Sequence, residues 1–461
     1  MKKLNILVIV SIFCATFNMS AQQFAGGSGT VSDPYIITTP LHLESMHDVN
    51  YGEAGTPVAR YFRLDADLDM TGVNWFAINP TDPYEKHIHF DGNGHVIKNL
   101  TVFAQEYASL FGVLCGSCRN LGVIDANVES SNSSGIIAGY VGLKGPNKPT
   151  GLIENCYTTG TISGIGAAGG ITGNIGKPNG DVFSIVRNCY STATVIVPNI
   201  SGAARSGGVV GIVWEKGVLE NCYSTGKVIC YGTEAQAGAG GVVGHSDASL
   251  KGCVALNDSI INMEAVVNIG RIAAFMGRVN DVQAQGEKCW GHDGIVMKNF
   301  NTVVQESELS QGTVERNKPY DGISKNAAYL SDPMNYFLEL EWDFASDENV
   351  WAQTMSNGRP IFQWLVNRAD YQDIDGHHSK QTGVQYKEMT NINVLARNGK
   401  ISISSDNQIH GVKIYALSGQ AIFDKSFSSN SISFSFDNQG IFVFSILTDG
   451  KWQNRNLLIS K

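Results

Sequence analysis

The sequence is short of charge. Asp, Glu, Lys and Arg together make up 16% of it, against about 25% in an ordinary soluble domain. Long solvated helices need Glu, Lys and Arg along one face, so a helix-rich fold is excluded. No run of Lys or Arg occurs, and acidic residues outnumber basic ones by 42 to 33. A phosphate backbone calls for a basic stripe, so nucleic acid is not an expected partner. Beyond residue 21 no apolar run approaches the ~20 residues of a membrane span, and no transmembrane segment is expected in the mature chain. The sequence also lacks a nucleophile elbow, a metalloprotease helix and a phosphate-binding loop.

Glycine is plentiful instead, 51 of 461 residues, where about 7% is usual. With 43% hydrophobic residues, the chain has enough apolar surface to fold. Little charge and much glycine suit close-packed strands and tight turns.

Residues 1–21 read as a signal peptide. Lys2 and Lys3 open it, Leu4 to Phe17 form its apolar run, and Met19-Ser20-Ala21 offers a cleavage site. Cys14 suggests a lipidated start, but Phe13 sits where a small residue is required. Eight cysteines remain after cleavage, which in an exported protein invites a disulfide reading. Their spacing points elsewhere.

Leu152 to Ile162, Ile185 to Val195 and Val218 to Val228 are copies of one another. Their cysteines, Cys156, Cys189 and Cys222, follow at 33-residue steps, and weaker copies carry Cys253 and Cys289. A second element recurs between them as Gly170-Ile-Thr-Gly173, Gly208-Val-Val-Gly211 and Gly241-Val-Val-Gly244. A fixed period of this length means a solenoid. Val, Ile, Thr and Tyr between Gly and Asn mean strands. The expected fold is all-β, a parallel β-helix over residues 22–300.

Strand alternation assigns faces. With Cys156, Cys189 and Cys222 inward, they form an internal column of free thiols, and Tyr157, Tyr190 and Tyr223 point outward. Asn155, Asn188 and Asn221 form a ladder at a corner, bonding backbone groups that the bend exposes.

The glycine element plus Asn-Cys-Tyr-Ser-Thr-Gly resembles the GLUG repeat of exported Bacteroidetes-type surface proteins. Gly27 to Ile37, Phe62 to Asp69 and Phe90 to Leu100 resemble the entry segments of such proteins. The resemblance implies a β-solenoid body without implying one activity. Residues 301–372, with Trp342, Trp351 and Trp364, read as a cap over the open end of the solenoid. Residues 373–390 read as a linker. Short alternating strands over 391–461 suit a small antiparallel β-sandwich. Val412 to Ile422, Gly440 to Phe444 and Leu457 to Lys461 resemble the type IX secretion sorting domain. That resemblance implies contact with secretion machinery and a secreted or outer-membrane surface location; Ser460 before the final Lys departs from the pattern.

Asp65, Asp67 and Asp69 alternate on one strand face and are candidates for calcium; no other cofactor is expected. The bland reading is a polar outer face. His87 and His89 share a face near His95, a weak metal set. Cys115 and Cys118 have redox spacing, but precede a strand rather than a helix, so a local disulfide or two buried thiols fits better. The outward tyrosines are the candidate binding set, through ring stacking on sugars or a protein, with stacking on one another as the plainer alternative. The acidic residues Glu154, Asp181, Glu220, Asp247 and Asp258 do not recur in register. The leading reading is a non-catalytic, adhesin-like module binding glycans or extracellular proteins. The alternative is a polysaccharide lyase or glycosidase on the same scaffold.

Overall fold

The computed structural model describes residues 23–459, apart from 54–55, 80–85, 143–149, 177–182, 199–203, 235–236, 264–267, 280–281, 345–349, 353–357, 367, 369–392, 398–399, 417–420, 437, 439 and 449–450. The signal-peptide and linker readings lie outside the described residues. The chain is all-β, 53% strand and 8% helix, with a β-solenoid of about seven turns.

One coil shows how the repeat becomes structure. Gly151–Glu154 is followed by Tyr157–Gly164, Ala167–Gly169 and Thr172–Ile175. The next copy stacks on it in parallel: Ile153 pairs with Val186, Tyr157 with Tyr190, Ile162 with Val195 and Gly169 with Gly207. Inward positions are apolar and completely buried at Ile153, Val186, Ile162 and Val195. The period of 33 thus keeps each side chain above its counterpart.

Two residue types let the coil close tightly. At the corner, Asn155, Asn188 and Asn221 all take left-handed φ, between 50° and 55°, a conformation that Asn tolerates because its side chain bonds locally. Across the core, a Cβ at Gly208 would lie 2.1 Å from the Gly241 carbonyl and 2.4 Å from Ser224 Oγ. Only glycine lets that wall approach the small Ser and Thr residues opposite. Thr158 spans the gap, donating to the Gly170 carbonyl at 2.9 Å.

The outer face of the Gly151–Glu154 sheet carries a ladder of alternating charge. Arg63, Asp91, Arg119, Glu154, Arg187, Glu220, Lys251 and Glu287 are successive partners on eight neighbouring strands. Glu154 lies 3.4 Å from Arg119 and 2.5 Å from Arg187. This corrects the expectation that the acids do not recur in register. Glu154 and Glu220 share a column, and the arginine between them hides the repeat from a search for like residues.

The segment expected as an end cap does two jobs. Lys318–Tyr320 pairs with Ala273–Met276 and Ile323–Lys325 with Trp290–His292, so these strands end the solenoid. Buried Arg271 ties them down, its Nη2 donating to Ser324 Oγ at 2.8 Å and its backbone N–H to Asp321 Oδ1 at 3.0 Å. Residues 327–368 do not cap. Their described parts run back along the side of the body as a strap, packed on the outward Tyr column. Near the C-terminal coils Glu341 meets Lys288 at 2.5 Å and Lys251 at 3.8 Å. At the N-terminal coils Arg368 donates to the Gly94 carbonyl and to Asp67, each at 2.5 Å.

Asn393–Arg397, Lys400–Ala416, Ala421–Ser435, Gly440–Thr448 and Lys451–Ile459 form a separate antiparallel sheet. Lys400–Ala416 pairs with three partners, with register shifts between Ser404 and Ile409. The sheet curls as half a barrel around Ile401, Ile403, Val412, Ile414 and Phe444.

Candidate functional site

Tyr157, Tyr190 and Tyr223 point away from the solenoid core, but none is exposed. Their rings stack at 5.0 Å and 4.8 Å, with interplanar angles of 17° and 11°. The strap covers them. Phe362 lies 5.1 Å from Tyr190, Trp351 stacks on Phe362 at 4.8 Å, and Trp342 stacks on Trp351 at 4.7 Å. Tyr223 Oη donates to the Pro360 carbonyl at 2.5 Å. The tyrosines therefore form a second core rather than a ligand surface, which corrects the expectation of sugar stacking there.

Asp65, Asp67 and Asp69 are each engaged separately. Arg63 forks onto Asp65 at 2.7 and 2.9 Å. That hydrogen-bonded guanidinium holds the Asp65 carboxyl below the usual carboxylate range. Burial opposes charge on Asp67, but bonds from Arg368 and the Val96 N–H outweigh it and lower its pKa. His95 Nδ1 sits 3.1 Å from the same carboxylate. Asp69 is pulled down to about 2 by the Thr71 hydroxyl, Asn99 and the Thr71 N–H. Among the described residues no three His, Cys, Asp or Glu side chains converge as a metal set, and the three aspartates expected as a calcium set are each held by different protein partners. They close turns and clasp the strap. His89 stacks on Tyr61 at 4.5 Å and meets Ser117 at 3.0 Å, while His87 lies beside Cys115 in the next coil.

Cys156, Cys189 and Cys222 are buried free thiols, continued by Cys118, Cys253 and Cys289. Burial, then the neighbouring Cys156 thiol, pushes the Cys118 and Cys189 thiols up. Cys115 is also buried, but it packs with Val113 and Tyr140, away from Cys118 in the main core. The corner Asn residues bond in series: Asn188 Nδ2 donates to Asn155 Oδ1 at 3.3 Å, and Asn155 Nδ2 to Asn120 Oδ1 at 3.2 Å.

An open groove of the described surface lies beside the strap. This groove, of about 590 Å³, crosses the coils, lined by Thr159, Thr192, Thr194 and Thr225 and walled by Ile196 and Ile229. Gly160 and Gly226 leave its floor without side chains. Lys227 and Arg359 bring positive charge to it, and Asp125 and Asp258 bring negative charge. Arg359 comes from the strap and lies 3.9 Å from Asp258. Threonines recur there at the coil spacing, about 4.8 Å. The groove is thus suited to an extended chain with polar groups along its length. Its signal lies in the repeat as the Thr two places after each Tyr, at Thr159, Thr192 and Thr225.

The family described as the GLUG motif matches residues 202–229. A "Putative Gly-rich membrane protein" of Evansella cellulosilytica is 30% identical over 148 residues, which is 30% of this chain and 16% of that protein. The chain therefore spans only a small part of that relative. A crystal structure from Bacteroides ovatus, described as "a putative immunoglobulin A1 protease", superposes with a TM-score of 0.61 at 34% identity. The match covers 74% of this chain and 96% of the Bacteroides ovatus protein. No helix among the described residues is long and apolar enough to cross a membrane. The chain is a GLUG-repeat β-solenoid protein, and at that identity and coverage it belongs to the same family as the Bacteroides ovatus protein.

Proposed function

We propose that the chain is an exported, surface-displayed binding module whose ligand, a glycan or an extracellular protein segment, lies in the threonine-lined groove. The groove itself carries this reading. It is open, polar and periodic, while the aromatic column beside it is sealed under the strap. Hydroxyls repeating at the coil spacing, with Lys227, Arg359 and Asp258 toward one end and Asp125 at the other, favour a polymer over a compact small molecule. The apolar signal-like start and the sorting-domain resemblance of residues 391–461 support export by a type IX route and display at an outer membrane of Bacteroidetes type.

A second reading, a hydrolase, is favoured by the description of the Bacteroides ovatus relative as an immunoglobulin A1 protease. One experiment separates the two. The purified chain is incubated with immobilised mucin, a polysaccharide panel and immunoglobulin A1, and both retention and new chain ends are measured. Retention without cleavage, lost in Thr194→Trp, which fills the groove, supports the binding module. New peptide or sugar ends replace it with the hydrolase.

A further inference from the structure

We infer that the alternating-charge face is a self-association surface, on which a second copy of this chain docks with its solenoid axis reversed. The observation is the order of signs. Eight rungs alternate from Arg63 to Glu287. An alternating ladder with an even number of rungs becomes its own complement when reversed. Around a two-fold axis between the Glu154 and Arg187 rungs, Glu154 faces the second copy's Arg187. On the same axis Arg119 faces Glu220, Asp91 faces Lys251 and Arg63 faces Glu287. Docking with the axes aligned and the rungs in register places like charges together on every rung. A symmetric pair needs such a self-complementary patch, and like-charge juxtaposition rejects the wrong orientation.

The face beside the ladder agrees with that axis. Leu152, Ile185 and Val218 point outward from the same strands, two residues before Glu154, Arg187 and Glu220. They are only partly buried. The two-fold axis sets Leu152 against Ile185 of the second copy, at the centre of the contact. Phe183, 54% exposed, flanks this apolar stripe. The basic rungs keep much of their exposure, with Arg119, Arg187 and Lys251 at 49%, 40% and 44%, while Glu154 between two arginines keeps 15%.

Size sets the strength. Seven steps of about 4.8 Å by strands of about 13 Å give on the order of 450 Å² per copy. That lies below the standard interface, in the weak and reversible range, so a dissociation constant of roughly 10–100 µM is expected. The association is also expected to weaken as salt rises, because the rungs are partly exposed.

The test is sedimentation equilibrium of the purified full chain from 5 to 500 µM, with cross-linking alongside. A reversible dimer at 50 mM salt, weakened at least tenfold in Arg187→Glu, supports the inference. A monomer at every concentration overturns it. Orientation is read from single-cysteine variants, since the described native cysteines are all buried. Mild oxidation of Leu152→Cys mixed with Ile185→Cys is expected to yield the mixed disulfide well above either like pair. Equal amounts of all three products, or an excess of like pairs, overturns the reversed arrangement even if a dimer forms.

Discussion

At the residue scale, the corner asparagines carry two burdens at once. Each holds a left-handed backbone, with φ of 55° at Asn155 and 50° at Asn188, and these two also bond the asparagine one coil before them. A residue without that side chain leaves the strain, about 1–2 kcal/mol, and loses a hydrogen bond of about 1 kcal/mol. Asn188→Ala is therefore expected to cost about 1–3 kcal/mol in urea denaturation, and Asn188→Gly less, because glycine removes the strain but not the lost bond. The column itself departs from Asn at Gly252, whose φ is also positive, at 60°. A Cβ there would lie 2.5 Å from Asn221 Oδ1 and 3.3 Å from Trp342 Nε1. Trp342 instead donates to the Gly252 carbonyl at 3.1 Å. The corner gives up its ladder at the point where the strap docks, so Gly252→Asn is expected to loosen the strap while leaving the coils folded, read as a red shift of tryptophan emission.

At the scale of elements, the strap is what the sequence left hardest to read. The fixed period made the Cys, Asn and Tyr columns legible, because a constant step stacks like on like. Alternation also gave the direction of the tyrosines. It could not give their cover, since the residues that bury them lie far along the chain: Tyr223 bonds Pro360, 137 residues away. Local pattern carries no signal for such a contact. The contribution of Arg359 to the groove was obscured for the same reason, because it comes from the strap. Removing the buried ring at the centre of the strap, Trp351→Ala, is expected to cost about 3–5 kcal/mol, measured by chemical denaturation. The clasp at Asp67 adds a pH dependence. Its pKa is lowered in the folded chain, so its stabilisation is complete above the unfolded value, near 4. That stabilisation is lost as pH falls below about 4 through the folded value. Tryptophan emission is expected to shift over that range, by less in Asp67→Asn, which holds no charge to lose.

At the scale of the whole molecule, a solenoid is nearly one-dimensional. Each coil touches only its neighbours, so coils can open from the ends inward. The strap changes that connectivity. It is clasped to the last coils through Glu341 and to the first through Arg368, and its rings lie against every tyrosine rung between them. An end coil cannot open without also breaking contacts with an element that reaches the other end. Unfolding is therefore expected to be far more cooperative than stacking alone allows. The thiol column reports this coil by coil, because Cys156, Cys189, Cys222, Cys253 and Cys289 are buried one per repeat. In the intact chain under mild denaturant, these thiols are expected to become reactive at one common rate, set by global opening. In a Trp342→Ala, Trp351→Ala double variant the rates are expected to spread, with Cys289 reacting before Cys189. A common rate in both proteins, followed by mass spectrometry of the labelled peptides, would show that the coils are coupled without the strap.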